Sequence, residues 1–301
     1  MMALSHDPLW PRAGGWPAPS TLEDGGHDDV ALIGVPTWRT SLSPTGAHAT
    51  PAAIRAALKR YSPTLVSPVL LNLDGALHIV DAGDIPAPDG VAGEKSVRAR
   101  VAELAAGTPL VIALGGDNSA TYAVAQGAGA TGLITLDAHY DLRDGVSNGS
   151  PVRRLVEGGL DPARIVQIGI ADFANSVAYA QRAAELGITV IGLDDVRRRG
   201  ADDVMAEALE IAGAGENPRV HLDIDVDVCD RSVAPACPAS IPGGLAAWEL
   251  RALVRRAAFD ARVTSADVVE VDATIDTPDG RTVRLAALCV LELLAGMALH
   301  G

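Results

Sequence analysis

The chain has 301 residues, 48% of them hydrophobic and 21% charged, a composition typical of a globular protein and not of a disordered one. Its formal net charge of −14 argues against a nucleic-acid-binding surface, although a local arginine cluster could still bind a small anionic substrate. Because no apolar run approaches the roughly 20 residues of a membrane span and the three cysteines do not suggest a disulfide framework, we expect a cytoplasmic protein with no membrane partner.

Residues 1–28, rich in proline, glycine and tryptophan, are predicted to form an irregular N-terminal arm, and residues 29–301 a single α/β domain. In the domain, short apolar runs alternate with alanine-rich stretches, which predicts a central, mostly parallel sheet of about eight strands with helices on both faces, a three-layer αβα architecture. The predicted strands are 30–35, 78–81, 109–114, 132–136, 164–169, 188–193, 219–226 and 265–271. The predicted helices are 50–60, 119–127, 151–158, 174–186, 201–213, 245–258 and 283–299.

Four of the predicted strands run into polar clusters. These clusters are GGDNS at 115–119, DAHYD at 137–141, DIDVDVCD at 223–230 and VEVD at 269–272. Ligands of open parallel sheets bind beyond the carboxyl ends of the strands, so the four clusters are expected to form one site. Burial of so many carboxylates without a counter-charge would be prohibitive, which favours a cation site.

The residue types in these clusters indicate which cation binds. Carboxylates with one imidazole suit Mn²⁺, and suit Zn²⁺, Ni²⁺ or Fe²⁺ less well, whereas an all-oxygen set would favour Mg²⁺ or Ca²⁺. The acidic segments contain enough oxygens to bridge a pair of ions, and such a pair can hold a shared water as hydroxide facing an electrophilic carbon. Hydrolysis is therefore the favoured reaction class.

The ordered set of four clusters resembles the ureohydrolase family, which includes arginase, agmatinase and formimidoylglutamase. The segments GVPTWRTSLSPTGAHATPAAIRAAL at 34–58 and DAGDI at 81–85 extend the resemblance from about residue 30 to the C-terminus. The resemblance implies an arginase-like fold, two Mn²⁺ ions per chain, a small-molecule substrate and a homo-oligomer, either a trimer or a hexamer.

The resemblance also implies the metal ligands. One ion would be held by Asp137, Asp141 and Asp225, with Asn118 at a further ligand position, and the other by Asp137, His139, Asp225 and Asp227. The family usually has histidine where this chain has Asn118, and an amide oxygen is a weaker donor for Mn²⁺. We therefore expect the first site to be weaker or slower to fill than the second.

The choice of Asp225 and Asp227 depends on the register of the motif. Asp223 and Asp225 have the same local spacing, but only a motif that starts at Asp225 places Pro235 and Gly243-Gly244 where the family has them. The role of Asp223, one strand step earlier, is left open between burial in the core and support of the ligands.

Two catalytic roles are carried over from the family. Asp141 would relay a proton after hydroxide attack on the substrate carbon, and Glu270 would contact the nitrogen group that leaves. Glu270 is therefore predicted both as a catalytic and as a substrate-binding residue.

The substrate is inferred from the segment at 141–159. Arginases and agmatinases have a longer segment here that ends in His-Gly, whereas this chain has Asn148-Gly149-Ser150-Pro151 and resembles the formimidoylglutamase branch. Asn148 and Ser150 are accordingly predicted to bind substrate. Because arginine recognises carboxylates and N-formimidoyl-L-glutamate carries two, Arg143 and Arg153 are predicted to face the pocket; the alternative is that they form a solvated helix face.

The implied function is hydrolysis of N-formimidoyl-L-glutamate to L-glutamate and formamide, a step of histidine degradation. One alternative is agmatinase or another guanidino-compound hydrolase that releases urea. A second is a catalytically weak, ureohydrolase-like binding protein, which the asparagine at position 118 and the missing second histidine would favour.

Overall fold

The computed structural model describes residues 6–19 and 28–300 of the chain. The predicted arm at 1–28 falls partly outside these residues. Its described part, 6–19, contains no strand or α-helix and is joined to the domain where the Ala13 amide donates to the Tyr61 carbonyl at 2.9 Å. The division into arm and domain stays a proposal.

The described elements alternate between strands and helices for most of the chain. The strands are β1 Val30–Val35, β2 Thr64–Leu65, β3 Leu71–Asn72, β4 Ile79–Asp84, β5 Leu110–Gly115, β6 Gly132–Leu136, β7 Ile165–Ile170, β8 Thr189–Gly192, β9 Val220–Asp225 and β10 Val263–Val269. The α-helices are α1 Thr50–Leu58, α2 Leu73–Ala76, α3 Gly90–Gly107, α4 Ala120–Gly127, α5 Pro151–Glu157, α6 Val177–Leu186, α7 Leu193–Arg199, α8 Ala201–Ala212, α9 Ala247–Ala258 and α10 Arg281–His300.

Eight strands form one sheet in the order β4-β1-β5-β10-β9-β6-β7-β8, and every neighbouring pair is parallel. This confirms the predicted sheet. Its spatial order differs from the chain order, because β4 lies at the edge beside β1, and β10 and β9 lie between β5 and β6. The carboxyl ends of four consecutive strands in space, β5, β10, β9 and β6, therefore carry the four polar clusters.

Helices cover both faces of the sheet, as the unbroken apolar strands predict. All six residues of β1 are buried, and its apolar side chains, which are all but Gly34, alternate between two hydrophobic clusters. Leu32 packs in the cluster that includes residues of α1, α8, α9 and α10, whereas Ile33 packs with Val97 and Val124 of α3 and α4. The three-layer αβα architecture follows from this alternation.

Five of the described strands and α-helices were not predicted, namely the helices α2, α3 and α7 and the short strands β2 and β3, and β4 continues beyond its predicted end at residue 81. Helix α3 was missed because it contains several glycines, although Val97, Val101 and Leu104 have helical spacing. Strand β4 continues beyond residue 81 since the guanidinium of Arg55 binds carboxylates along it, with Nε donating to Asp81 Oδ2 at 2.6 Å.

Among the described helices, α10 is the one long and apolar enough to cross a membrane by composition. Its most apolar segment is 67% buried inside the domain. Residues of α10, including Leu293 and Leu294, belong to the same core cluster as residues of α1 and α9, so packing in the core accounts for its apolar sequence.

Candidate metal centre

The sheet order brings the four polar clusters to one edge. Gly115 ends β5, Leu136 ends β6, Asp225 ends β9 and Val269 ends β10, and these strands are neighbours in space. Gly116 shows how closely the backbone packs there, because a Cβ atom on it would lie 1.9 Å from the Thr37 carbonyl oxygen. Only glycine fits at that position.

Among the described residues, Asp137, His139 and Asp227 form a compact group of possible metal ligands. One potential donor atom from each lies within 4.8 Å of the others. His139 Nδ1 is 3.1 Å from Asp227 Oδ2 and 3.4 Å from Asp137 Oδ1. Backbone contacts orient the carboxylates, since the His139 amide donates to Asp137 Oδ1 at 2.7 Å and the Asp227 amide donates to Asp225 Oδ1 at 2.8 Å.

Asn118, Asp141 and Glu270 form a second group beside the first. Asn118 Nδ2 donates to Asp141 Oδ2 at 2.6 Å, and the Asn118 backbone amide donates to Glu270 Oε2 at 2.8 Å. The other oxygen of Glu270 accepts from Asn148 Nδ2 at 2.9 Å. The side-chain oxygen of Asn118 accepts from the Thr121 hydroxyl at 2.7 Å.

Asp141 and Glu270 both have left-handed backbone conformations, with φ of 52° and 63°. Such conformations are unfavourable for residues other than glycine and persist only where the surrounding structure imposes them. Strain of this kind concentrates at functional sites, which supports a functional role for both residues.

The carboxylates of the centre are crowded and buried. Burial, followed by the charge of Asp227, raises the pKa of Asp137 to about 6. Burial, followed by the charge of Asp137, raises the pKa of Asp141 well above the usual range. Burial, followed by the charge of Asp227, does the same to the pKa of Asp225. The pKa of Glu270 rises to about 8, first from burial and then from the charge of Asp117.

This donor set fits divalent cations. Among the described residues, no lysine or arginine forms an ion pair with these carboxylates, and Asp137 Oδ2 is buried without a hydrogen-bond partner. The histidine responds to the surplus of negative charge: burial lowers its pKa, but Asp227 and Asp137 raise it to about 12. Carboxylates with one imidazole and one amide match Mn²⁺ chemistry, as the sequence predicts.

A cavity of about 690 Å³ opens above the centre. Of the residues predicted from sequence, those lining it are His139, Asp141, Arg143, Asn148, Asp225, Asp227 and Glu270. Asp223 lies instead inside β9 and is fully buried.

The structure does not bring Ser150 and Arg153 to the cavity lining. The Ser150 hydroxyl donates to the Ser147 carbonyl at 2.8 Å and accepts from the Ser147 amide at 2.9 Å, which closes the turn before α5. Arg153 Nε donates to the Arg143 carbonyl at 2.6 Å, and its other nitrogens contact the Gly145 carbonyl and Glu157. Both side chains therefore shape the segment that carries Arg143 and Asn148.

Two amide side chains that the sequence analysis missed hold the DAHYD loop. Asn175 Nδ2 donates to the Ala138 carbonyl at 2.8 Å, and Asn175 Oδ1 accepts from the Tyr140 amide at 3.1 Å. Gln167 Nε2 donates to the Tyr140 carbonyl at 2.9 Å. No local sequence signal marks either residue, because their partners lie about thirty residues away along the chain.

The Asn175→Ala variant is expected to weaken Mn²⁺ binding about 10- to 100-fold, the usual effect of removing a side chain that orients metal ligands. The reason is that it removes both hydrogen bonds to the loop bearing His139. Isothermal titration with Mn²⁺ measures the change. Asn72→Ala, which removes an amide that caps α2, is the matched control and should leave Mn²⁺ affinity unaltered. Equal affinities for Asn175→Ala and the native chain would contradict the assignment.

The chain is similar to known proteins over most of its length. The model of the family described as "Arginase family" matches residues 28–296. Formimidoylglutamase of Bacillus subtilis (strain 168) is 36% identical over 285 residues, which cover 89% of this chain and 87% of that protein. The crystal structure of formimidoylglutamase from Bacillus subtilis superposes with a TM-score of 0.88 at 33% identity and covers 99% of this chain and 95% of that one. The crystal structure of Trypanosoma cruzi formiminoglutamase with Mn2+2 superposes with a TM-score of 0.81 at 26% identity, and the match covers 90% of this chain and 94% of that one.

Proposed function

This chain belongs to the arginase family, and from that membership we propose that it is a manganese-dependent hydrolase that converts N-formimidoyl-L-glutamate to L-glutamate and formamide. The similarity to formimidoylglutamases runs over nearly the whole chain. It supports this substrate over guanidino compounds, which remain the alternative.

The observation that carries the proposal is a cavity with two chemically distinct ends. The carboxylates of the candidate metal centre that line it, Asp141, Asp225 and Asp227, are buried and form its floor, whereas Arg143, which also lines it, is exposed and lies toward its opening. An amidine group joined to carboxylates needs this combination, because the amidine carbon must meet an activated water while the carboxylates need cationic partners.

The residues proposed to hold two Mn²⁺ ions per chain share an edge of the sheet and carry oxygen or imidazole donors. They are Asn118, Asp137, His139, Asp141, Asp225 and Asp227. When bound, the ions supply Lewis-acid activation of water for attack on the formimino carbon.

Glu270 orients the substrate. One of its oxygens is held by the Asn118 amide and the other by Asn148, so the carboxylate is fixed in the cavity wall where it can accept hydrogen bonds from the formimino N–H groups. Asp141 accepts a hydrogen bond from Asn118 Nδ2. It takes the proton that the attacking water gives up and then passes it to the departing nitrogen. The strained backbone of both residues fits these roles.

A substrate panel with Mn²⁺ tests the function. Formamide release from N-formimidoyl-L-glutamate is followed beside urea release from arginine, agmatine and shorter guanidino acids. We expect formamide release with a kcat/KM at least about 100-fold above that for any guanidino compound, since the lining arginine disfavours agmatine and its ammonium group. Preferential release of urea would show that the protein is a guanidino-compound hydrolase instead. A lack of turnover of every compound would favour the catalytically weak, ureohydrolase-like binding protein.

We expect the two ions to be retained unequally, because Asn118 would coordinate its ion through a neutral amide oxygen, which is a weaker ligand for Mn²⁺ than the imidazole usual in the family. After dialysis against buffer without metal, the protein should keep the ion at the His139 side and lose most of the ion at the Asn118 side, as measured by metal analysis. Asn118→His should narrow the difference by supplying an imidazole. Equal retention of two ions by the native chain would remove this proposal.

We also propose that the protein is a cytoplasmic homo-oligomer, either a trimer or a hexamer. The support is the family resemblance, together with the packing of α10, whose most apolar segment is 67% buried inside the domain. Light scattering on the purified protein measures the assembly.

A further inference from the structure

Arg182, on α6, lies in the lining of the cavity although no sequence pattern pointed to it. Its guanidinium carbon is 5.7 Å from the centre of the Tyr179 ring, and that of Arg143 is 6.0 Å from the same ring. Two cationic side chains thus contact one aromatic ring on the cavity wall, which restricts both of them before any ligand binds.

One nitrogen of the Arg182 guanidinium already donates hydrogen bonds within the protein. Nη1 donates to the Leu142 carbonyl at 2.6 Å and to Asp144 Oδ1 at 2.9 Å. Within the described ranges 6–19 and 28–300, Nε and Nη2 of Arg182 have no hydrogen bond, and the guanidinium of Arg143 has no hydrogen bond or ion pair. Both arginines therefore have donors available to a ligand in the cavity.

The ion pair between Asp144 and Arg182 shows that this guanidinium binds a carboxylate. Its carboxylate is 82% exposed and binds Arg182 from the solvent side, so the ion pair is worth little in stability and can exchange. A substrate carboxylate would present the same oxygens to the same guanidinium. Asp144 and Arg182 both line the cavity, so this ion pair lies where a ligand carboxylate would bind.

We propose that Arg182, with Arg143, binds the side-chain carboxylate of the substrate, and that Asp144 competes with the substrate for Arg182. The proposal rests on the proposed function, because it names the residue that selects a dianionic formimidoyl compound. Glu270 and the metal centre take the formimino end at the floor of the cavity, and the arginines bind the opposite end at its rim.

The test compares two variants that should act in opposite directions. Arg182→Gln should raise KM for N-formimidoyl-L-glutamate about 10- to 100-fold with little change in kcat, because it removes a charge-assisted contact remote from the reacting carbon. Asp144→Asn should lower KM about two- to fivefold by freeing Arg182. Arg100→Gln, which removes an arginine paired with Glu103 on α3, is the matched control and should leave KM at the native value.

A second substrate identifies the group that Arg182 binds. N-formimidoyl-L-glutamine has the same shape but lacks the side-chain charge, so native enzyme and Arg182→Gln should have KM values for it within about threefold. Calorimetric titration of the Mn²⁺-loaded protein with N-acetyl-L-glutamate reports the same contact without turnover, and Arg182→Gln should weaken this binding as it raises KM.

The outcomes separate this proposal from the proposed function. If the native protein does not release formamide, the proposed function fails, while the N-acetyl-L-glutamate titration still tests Arg182. Two results with an active native protein overturn the assignment of Arg182. One is an Arg182→Gln variant with the native KM for N-formimidoyl-L-glutamate, and the other is a variant whose KM rises by the same factor for N-formimidoyl-L-glutamine as for N-formimidoyl-L-glutamate. Should Arg182→Gln not fold, an unchanged KM in Asp144→Asn overturns it equally, and a lowered KM supports it.

Discussion

Asp227→Asn is expected to lower kcat by at least about 1,000-fold, equivalent to about 4 kcal/mol of transition-state stabilisation, and to remove most bound Mn²⁺. Asp227 Oδ2 is 3.1 Å from His139 Nδ1, and the other oxygen accepts from the Ala138 amide at 3.4 Å. The asparagine side chain keeps the shape and one acceptor oxygen but removes the charge. The effect therefore reports the loss of an anionic ligand and not a cavity.

The measurement combines kcat at saturating substrate with metal analysis of the same sample. Asp161→Asn serves as the matched control, since Asp161 caps a short 3-10 helix where asparagine caps equally well. We expect the control to keep native activity and metal content. An Asp227→Asn enzyme with more than about a tenth of native kcat would show that Asp227 is not an essential ligand.

Mn²⁺ is expected to raise the melting temperature by about 10 °C at pH 8 and by only a few degrees at pH 5. The metal-free protein holds extra protons when folded. The pKa of Asp137 is raised to about 6 by burial and the charge of Asp227, and that of Glu270 to about 8 by burial and the charge of Asp117. Because both folded values exceed the unfolded ones, these groups destabilise the metal-free fold increasingly as pH rises from about 4 through 8.

His139 contributes in the same direction. Burial lowers its pKa, but Asp227 and Asp137 raise it to about 12, so its protonation stabilises the fold fully below the unfolded pKa of about 6.5 and progressively less as pH rises toward 12. Mn²⁺ replaces these protons as the counter-charge and binds better as they leave. The stabilisation by metal therefore grows with pH.

Scanning calorimetry at pH 5, 6.5 and 8, with either a chelator or excess Mn²⁺, measures this dependence. The Asp227→Asn protein is the internal reference, because loss of that charge should reduce both the metal effect and its growth with pH. An equal gain in melting temperature at pH 5 and pH 8 would show that proton release from these groups is not coupled to metal binding.

The sequence by itself determined the eight strands of the main sheet and the family. Runs such as VALIGV at β1 read as fully buried strands because apolar side chains on both faces leave no other stable environment. The four polar clusters directly follow such runs, and a parallel sheet has all its carboxyl ends on one edge, so their meeting at a common site could be inferred without coordinates. The predicted family and fold class are confirmed.

Only the tertiary structure decided how the four clusters are ordered in space and which arginines reach the cavity. Strand order depends on contacts between distant segments, and no local pattern encodes the insertion of β10 and β9 between β5 and β6. Arg153 is close to the site in sequence, yet its guanidinium is taken up by nearby carbonyls, whereas Arg182 comes from a later helix and lines the cavity. Residue type and spacing set the chemistry that a segment can perform, but the direction of a long side chain depends on the partners that folding places within its reach.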